Sequence, residues 1–227
     1  AALEGGTKGF YIEFSLPEAQ AGIVDKLEYR RGKLPIELVN VQAAADGQVK
    51  ATVFVPERQK DYYLRKVASY RDEDNTRQRL NEDGTYETVS IPKNELLIAS
   101  IDTARLAVAR SFYTDEPNLF PQPGETAWWE AWLRVGTRAA FEKAAQAMAL
   151  ATREYSLAFA EREIVVVRAT PEQLGSLIAN TDCLAELRLA RDTPALFMGM
   201  DGAEQRDWAQ DVADRLVPCG IDAPAVC

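Results

Sequence analysis

Residues 9–16 alternate in polarity: Phe10, Ile12, Phe14 and Leu16 fall on one side, Tyr11, Glu13 and Ser15 on the other. A period of two predicts a half-buried strand, which Pro17 ends. Ile23, Val24 and Leu27 then recur at helical spacing toward residue 31, with Gly32 as the stop. Pro35 opens a strand over 36–42, Asp46-Gly47 supplies a hairpin turn, and Val49, Val53 and Val55 predict a returning buried strand. Tyr63, Leu64 and Val67 mark a second helix over 58–71, so the first stretch reads β-α-β-β-α. Residues 72–94 are polar and read as a linker or excursion, with Tyr86 to Ile91 as a short edge strand. Leu97, Ile101, Ala104, Val108 and Phe112 share one face of an expected helix over 95–113, and a turn-rich bridge with Pro117, Pro121, Pro123 and Gly124 follows.

The second half repeats the order more fully. Trp129, Ala131, Leu133 and Val135 alternate with Trp128, Glu130, Trp132 and Arg134, which predicts a strand. Ala140, Phe141, Ala144, Ala145 and Met148 form the apolar face of a helix. Tyr155 to Phe159 and Glu163 to Arg168 pair as strands across a Glu161-Arg162 turn. Thr170-Pro171-Glu172-Gln173 is a capping box with proline at the first helical position. Leu174, Leu177 and Ile178 carry that helix, and Ala185, Leu187 and Leu189 mark a last strand. The order β-α-β-β-α-β is the double split βαβ of the ferredoxin-like fold, in which both helices lie on one face and the other stays open. A final helix begins at Asp201, which pairs with Glu204 as a cap; Trp208, Val212 and Leu216 give it one apolar stripe before Pro218.

The expected class is therefore α+β: two tandem ferredoxin-like modules, βαββα and βαββαβ, plus extra helices. The boundaries are 9–94 for the first module with its polar excursion, 95–126 for a bridging helix and Pro-rich loop, and 127–190 for the second module. Residues 191–227 are expected to be a helix and linker leading into a further domain.

Composition narrows the chemistry. The 227 residues hold 26 Lys+Arg, 35 Asp+Glu, three cysteines and no histidine, for a net charge of −9. Without histidine there is no Ser-His-Asp or Cys-His pair to activate a nucleophile, and no mixed Cys/His zinc site. Cys183, Cys219 and Cys227 lack close CxxC pairing, so no metal and no cofactor are expected. The acidic balance and the lack of an RNP1-like run argue against nucleic acid. No run of about 18 apolar residues suggests a membrane span. Sparse, odd-numbered cysteines suit a reducing compartment.

Trp128, Glu130, Trp132 and Arg134 are the partner-docking candidates. If Trp129, Leu133 and Val135 face the helices, these four line the open sheet face, and tryptophan is enriched at the anchoring centres of interfaces. The pattern leaves a second placement open, in which the helix at 95–113 or 201–217 packs over them. Asp72-Glu73-Asp74 and the carboxylates of 82–87 read as a solvated loop, Arg30-Arg31 and Arg65-Lys66 as outer helix faces, and Cys183 as a small core residue. Gly5-Gly6 lacks the spacing of a phosphate loop.

Several ordered stretches carry a family resemblance. They are Gly9-Phe10-Tyr11-Ile12-Glu13-Phe14, Ala51-Thr52-Val53-Phe54-Val55-Pro56-Glu57, Trp128-Trp129-Glu130-Ala131-Trp132-Leu133-Arg134, Val166-Val167-Arg168-Ala169-Thr170-Pro171-Glu172-Gln173-Leu174 and the ending Ala223-Pro224-Ala225-Val226-Cys227. Together they resemble the region that precedes the catalytic domain in a group of bacterial subtilisin-like serine peptidases (subtilases). In that group the ending leads into a strand whose Asp-Thr-Gly supplies the triad aspartate, so the chain, which opens on Ala1, is expected to be a segment of a longer protein. The resemblance implies a non-catalytic prosegment or regulatory region, acting as intramolecular chaperone or inhibitor of its own catalytic domain in cis. Two modules and a helix at 201–217 depart from the simple one-domain prosegment. Relatives look like cytoplasmic proteins encoded beside an AAA-type ATPase, which implies such an ATPase as a second partner. The alternative reading is a sensing or docking module that relays the ATPase's signal to the protease. Ligand sensing by paired modules ranks last, because no loop shows a pocket signature.

Overall fold

The structure, a computed structural model, describes residues 8–31, 34–44, 47–81, 84–191 and 201–215. It is a mixed α+β chain that divides into two compact units, Ala1–Leu189 and Ala190–Cys227. The first unit holds two four-stranded antiparallel sheets and a separate two-stranded hairpin.

The first sheet begins with β1 (Gly9–Pro17), followed by a 3-10 helix (Glu18–Leu27), β2 (Glu37–Ala43) and β3 (Gln48–Pro56). The alternation read along β1 places Phe14 and Leu16 in a core with Ile23, Leu27, Ile36, Ala51, Val53 and Val55. Gly9 is required by close approach: a Cβ there would sit 2.4 Å from the Val55 carbonyl and 2.6 Å from the Phe54 ring. A short 3-10 turn (Glu57–Gln59) leads into α1 (Tyr62–Asp72), whose Tyr63 packs on Phe14 with ring centroids 4.9 Å apart and donates its hydroxyl to the Leu27 carbonyl.

The polar stretch expected as a linker folds as a hairpin of its own, β4 (Asp74–Leu80) and β5 (Tyr86–Pro92). The helix expected over 95–113 is corrected: it is broken into α2 (Glu95–Ile98) and α3 (Ala109–Phe112), with β6 (Thr103–Leu106) between them. β6 pairs antiparallel with β1, Phe14 opposite Ala104 and Glu13 opposite Arg105. The free edge of β1 decides this, because its buried backbone groups need ladder partners and no local helical pattern supplies them. Asp102 N–H donates to the Ser15 carbonyl at 2.9 Å and Ala107 N–H to the Tyr11 carbonyl at 3.0 Å, so both ends of β6 are stitched to β1. The Arg105 guanidinium also meets the buried Glu13 carboxylate at 2.7 Å. The first sheet thus runs β2-β3-β1-β6, one strand more than expected.

A 3-10 turn (Pro117–Leu119) precedes the second sheet: β7 (Ala127–Arg134), α4 (Arg138–Ala147), β8 (Ala151–Ala158), β9 (Arg162–Ala169), α5 (Pro171–Asn180) and β10 (Leu184–Leu189). This is the element order expected for 127–190, and the sheet order is β10-β7-β9-β8. Thr170 caps α5 as read: its hydroxyl accepts from Gln173 N–H at 3.3 Å while the Gln173 side chain accepts from Thr170 N–H at 2.8 Å. Helix α4 ends in a Schellman turn, with Leu150 N–H bonded to the Ala145 carbonyl and Ala149 N–H to that of Gln146. Ala149 occupies the left-handed position at φ 53°, where glycine is the usual residue.

Trp129, Leu133, Phe141, Val165, Val167, Leu174, Leu177 and Leu187 form the buried centre of this half. Tyr11, Val39 and Phe54 join it from the other face of the first sheet, so this core spans the joint between the sheets, while Phe14, Leu16 and Val53 belong to a separate core on the first sheet's helix side. In the second unit the helix Gly202–Arg215 starts as expected, with Asp201 accepting from Ala203 and Glu204 N–H at 2.8 and 2.9 Å. Those bonds hold the Asp201 carboxyl below its usual range. Leu216, Pro218, Cys219, Cys227 and the Ala223–Cys227 motif lie outside the described residues, as do Gly5-Gly6, Gly32 and Asp46.

Candidate functional site

Strand β7 separates its residues by pleat. Trp129, Ala131 and Leu133 are fully buried against the helices, while Trp128, Glu130, Trp132 and Arg134 lie half-buried on the opposite face. The helix that would have covered them from 95–113 does not form; α3 packs against α5, β10 and β3 instead.

Register brings further residues onto this face. Arg168 lies opposite Trp128, Val166 opposite Glu130, Ile164 opposite Trp132 and Arg162 opposite Arg134. From the other side β10 sets Glu186 opposite Trp132 and Arg188 opposite Glu130. The Arg188 guanidinium sits 4.4 Å from the Trp132 ring centroid and that of Arg153, from β8, 4.5 Å from Trp128. Cations over indole faces are held by the ring quadrupole and keep the rings in fixed orientations. Phe159, 57% exposed, stacks on Trp132 with rings 4° from parallel and centroids 5.9 Å apart. Trp132 Nε1 is buried without a hydrogen-bond partner among the described residues. The result is a shallow aromatic strip with Arg153, Arg168 and Arg188 at its margins, on a chain of net charge −9.

The four residues singled out from the sequence part company here. Trp128 and Trp132 are the strip, and Glu130 sits in the same row. Arg134 is only 14% exposed and serves the joint between the sheets: it meets Glu37 at 2.8 Å, donates to the Asp182 carbonyl at 2.7 Å and lies 3.8 Å over the Phe54 ring. Sequence reasoning missed Arg153, Phe159, Arg168 and Arg188. Arg168 and Arg188 lie on strands that the periodicity places, whereas Arg153 precedes the strand expected from Tyr155 and Phe159 follows the observed end of β8; only strand register and the ring contacts show that they border the two tryptophans.

That joint also carries long-range polar bonds. Tyr11 Oη donates to the Leu184 carbonyl at 2.7 Å and Asn40 Nδ2 to that of Ala185 at 2.9 Å. Thr52 and Gln42 both donate to the Ser111 carbonyl at 2.9 Å. Burial pushes the Tyr11 phenol well above its usual range, so it stays a donor at any physiological pH. Cys183 is buried beside this region, and desolvation raises its thiol pKa, which leaves it an inert core residue as read.

The acidic loop residues are spent on local pairs: Asp72 with Arg71, Glu73 with Lys93 and Ser69, Asp74 with Ser90. Among the described residues no group of three or more Cys, Asp or Glu is placed to hold a metal. Lys66, expected on an outer helix face, is half-buried: it donates to Asn94 Oδ1 at 3.2 Å and lies 5.1 Å from the Tyr62 ring centroid, and desolvation lowers its pKa. No helix of the described residues is long and apolar enough to cross a membrane.

No protein-family model matches the chain, and no curated protein matches it significantly.

Proposed function

We propose that this chain is the non-catalytic N-terminal region of a subtilisin-like serine endopeptidase, acting on its own protease domain by protein–protein contact as a chaperone, inhibitor or regulator. What carries the reading is the aromatic strip of Trp128, Trp132 and Phe159 on the face of the second sheet opposite Trp129, Ala131 and Leu133, with Arg153 and Arg188 stacked on the two indoles. Aromatic and arginine side chains in a half-desolvated row are the composition of an interface centre. Both four-stranded sheets place the module's last strand beside its first, and we read them as two ferredoxin-like modules of the kind that subtilase prosegments use. The cytoplasm is the proposed compartment.

The test adds the segment in trans to the isolated catalytic domain. Slower peptide hydrolysis or a higher refolding yield is expected, and the Trp128→Ala/Trp132→Ala double variant loses most of that effect while keeping its far-UV spectrum. Unchanged activity, refolding yield and substrate range would sink the proposal. Retained protease control together with lost capture of an AAA-type ATPase would move the strip's role to that partner.

A further inference from the structure

The helical layer over the first sheet leaves a gap. Between α1, α2 and the β1–β6 edge lies an open cavity of about 500 Å³. Its floor is Ile12, Phe14 and Ala104; its walls are Tyr63, Leu64 and Val67 from α1, Ile98 at the end of α2 and Ile101 between α2 and β6. Phe14 and Ala104 are directly opposed across the strands, so the small alanine sets the depth. The one tyrosine hydroxyl in the lining is turned away, bonded to the Leu27 carbonyl, so it gives the cavity no polar group. Lys60, at the end of the 3-10 turn before α1, is the single charged residue of the nine that line it.

Leu64 and Val67 are 68% and 47% exposed, on a helix whose neighbour Tyr63 is buried. Two aliphatic side chains one helical turn apart thus face the opening and not the core. The volume falls in the range of small-molecule sites, which are mostly apolar with a few polar groups that fix orientation. Here the polar complement reduces to one ammonium. A neutral apolar molecule would leave Lys60 unused, and a cationic amphiphile would be repelled by it.

We infer that this cavity is a binding site for a medium-chain aliphatic carboxylate or a similar single-chain anionic amphiphile, with the alkyl chain between α1 and the β1–β6 edge and the anionic head at Lys60. The site lies on the helix side of the first sheet and does not depend on the tryptophan strip.

Calorimetric titration with decanoate, below its micelle concentration, tests this on the whole chain, with 1-decanol and decyltrimethylammonium as comparison probes. Saturable one-site binding of decanoate is expected, roughly three- to tenfold tighter than decanol, the range for one exposed charge pair, with the cation bound more weakly than decanol. Lys60→Glu should remove the preference for decanoate over decanol. Ala104→Trp should abolish binding of both by filling the floor. Leu64→Asp, at an exposed position that folding tolerates, should weaken decanoate even if Ala104→Trp proves unstable. No saturable binding, equal affinity for all three probes, or decanoate binding unchanged in both Lys60→Glu and Leu64→Asp would overturn the assignment. Loss of protease control in trans with decanoate binding intact would sink only the proposed function.

Discussion

On the helix side of the second sheet, Phe141, Ala145, Leu174, Leu177 and Trp129 interlock with no measurable exposure. On the same side of the first sheet, Leu64 and Val67 stand largely in solvent, and a cavity remains between α1 and β6. The opposite faces reverse the contrast. The first sheet's Tyr11, Thr52 and Phe54 are buried under β10 and the α3 segment, whereas the second sheet's Trp128 and Trp132 are half-buried, with Arg153, Arg188 and Phe159 stacked on their rings. Two sheets of one strand order therefore have different surfaces to offer. The difference comes from what covers them: two full helices in the second sheet, but a 3-10 helix, one α-helix and a four-residue turn in the first. A sheet must bury one face to be stable and can leave the other for a partner. Here docking of one sheet on the edge of the other decides which faces remain.

The sharpest way to break this comparison is to empty both cores. Trp129→Ala removes a fully buried ring together with its indole bond to the Ala169 carbonyl, and should lower stability by about 3–5 kcal/mol in urea unfolding. Phe14→Ala should cost at least about 1 kcal/mol less, because the adjoining cavity has already forfeited part of its packing. Equal losses would mean that the first helical layer packs as tightly as the second.

The joint comes next. Arg134→Ala removes the nearer of Glu37's two cations, leaving Arg162 at 3.8 Å, and takes the Asp182 carbonyl's donor, and should cost about 1–3 kcal/mol. The two unfolding transitions are expected to coincide in the parent and to separate in the variant: tryptophan fluorescence, dominated by the second sheet, and far-UV dichroism, which reports both. Coincident curves in the variant would show that the two sheets do not depend on this pair to unfold together.

The smallest effect should be a gain. Ala149→Gly places glycine at the left-handed position of the Schellman turn and should stabilise the second half by about 1 kcal/mol, read as a raised midpoint in thermal unfolding. A loss there would mean that the turn relaxes when it is given glycine's freedom.

Much of the second half was legible without coordinates. Alternation along Trp128–Arg134, the capping box at Thr170 and helical spacing through Leu174, Leu177 and Ile178 are local signals, and the local structure obeys them. The segment 95–113 was not legible. Leu97, Ile101 and Ala104 fit a helical stripe, yet the open edge of β1 takes 103–106 as a strand because ladder bonds and the Glu13–Arg105 pair outweigh propensity. At the docking face, the sequence points to Trp128 and Trp132, while Arg153, Phe159, Arg168 and Arg188 join them only through register.

By itself, then, the sequence determined the element order of 127–189, the side of β7 on which each tryptophan lies and the absence of histidine chemistry. These depend on the pleat, on capping geometry and on composition, all of which act within a few residues. Only the tertiary structure decided that β6 closes the first sheet, that Arg134 belongs to the joint and not to the open face, and that an apolar cavity survives beside Lys60. Each of those depends on backbone edges and side chains tens of residues apart competing for the same partners, and no local pattern records who wins.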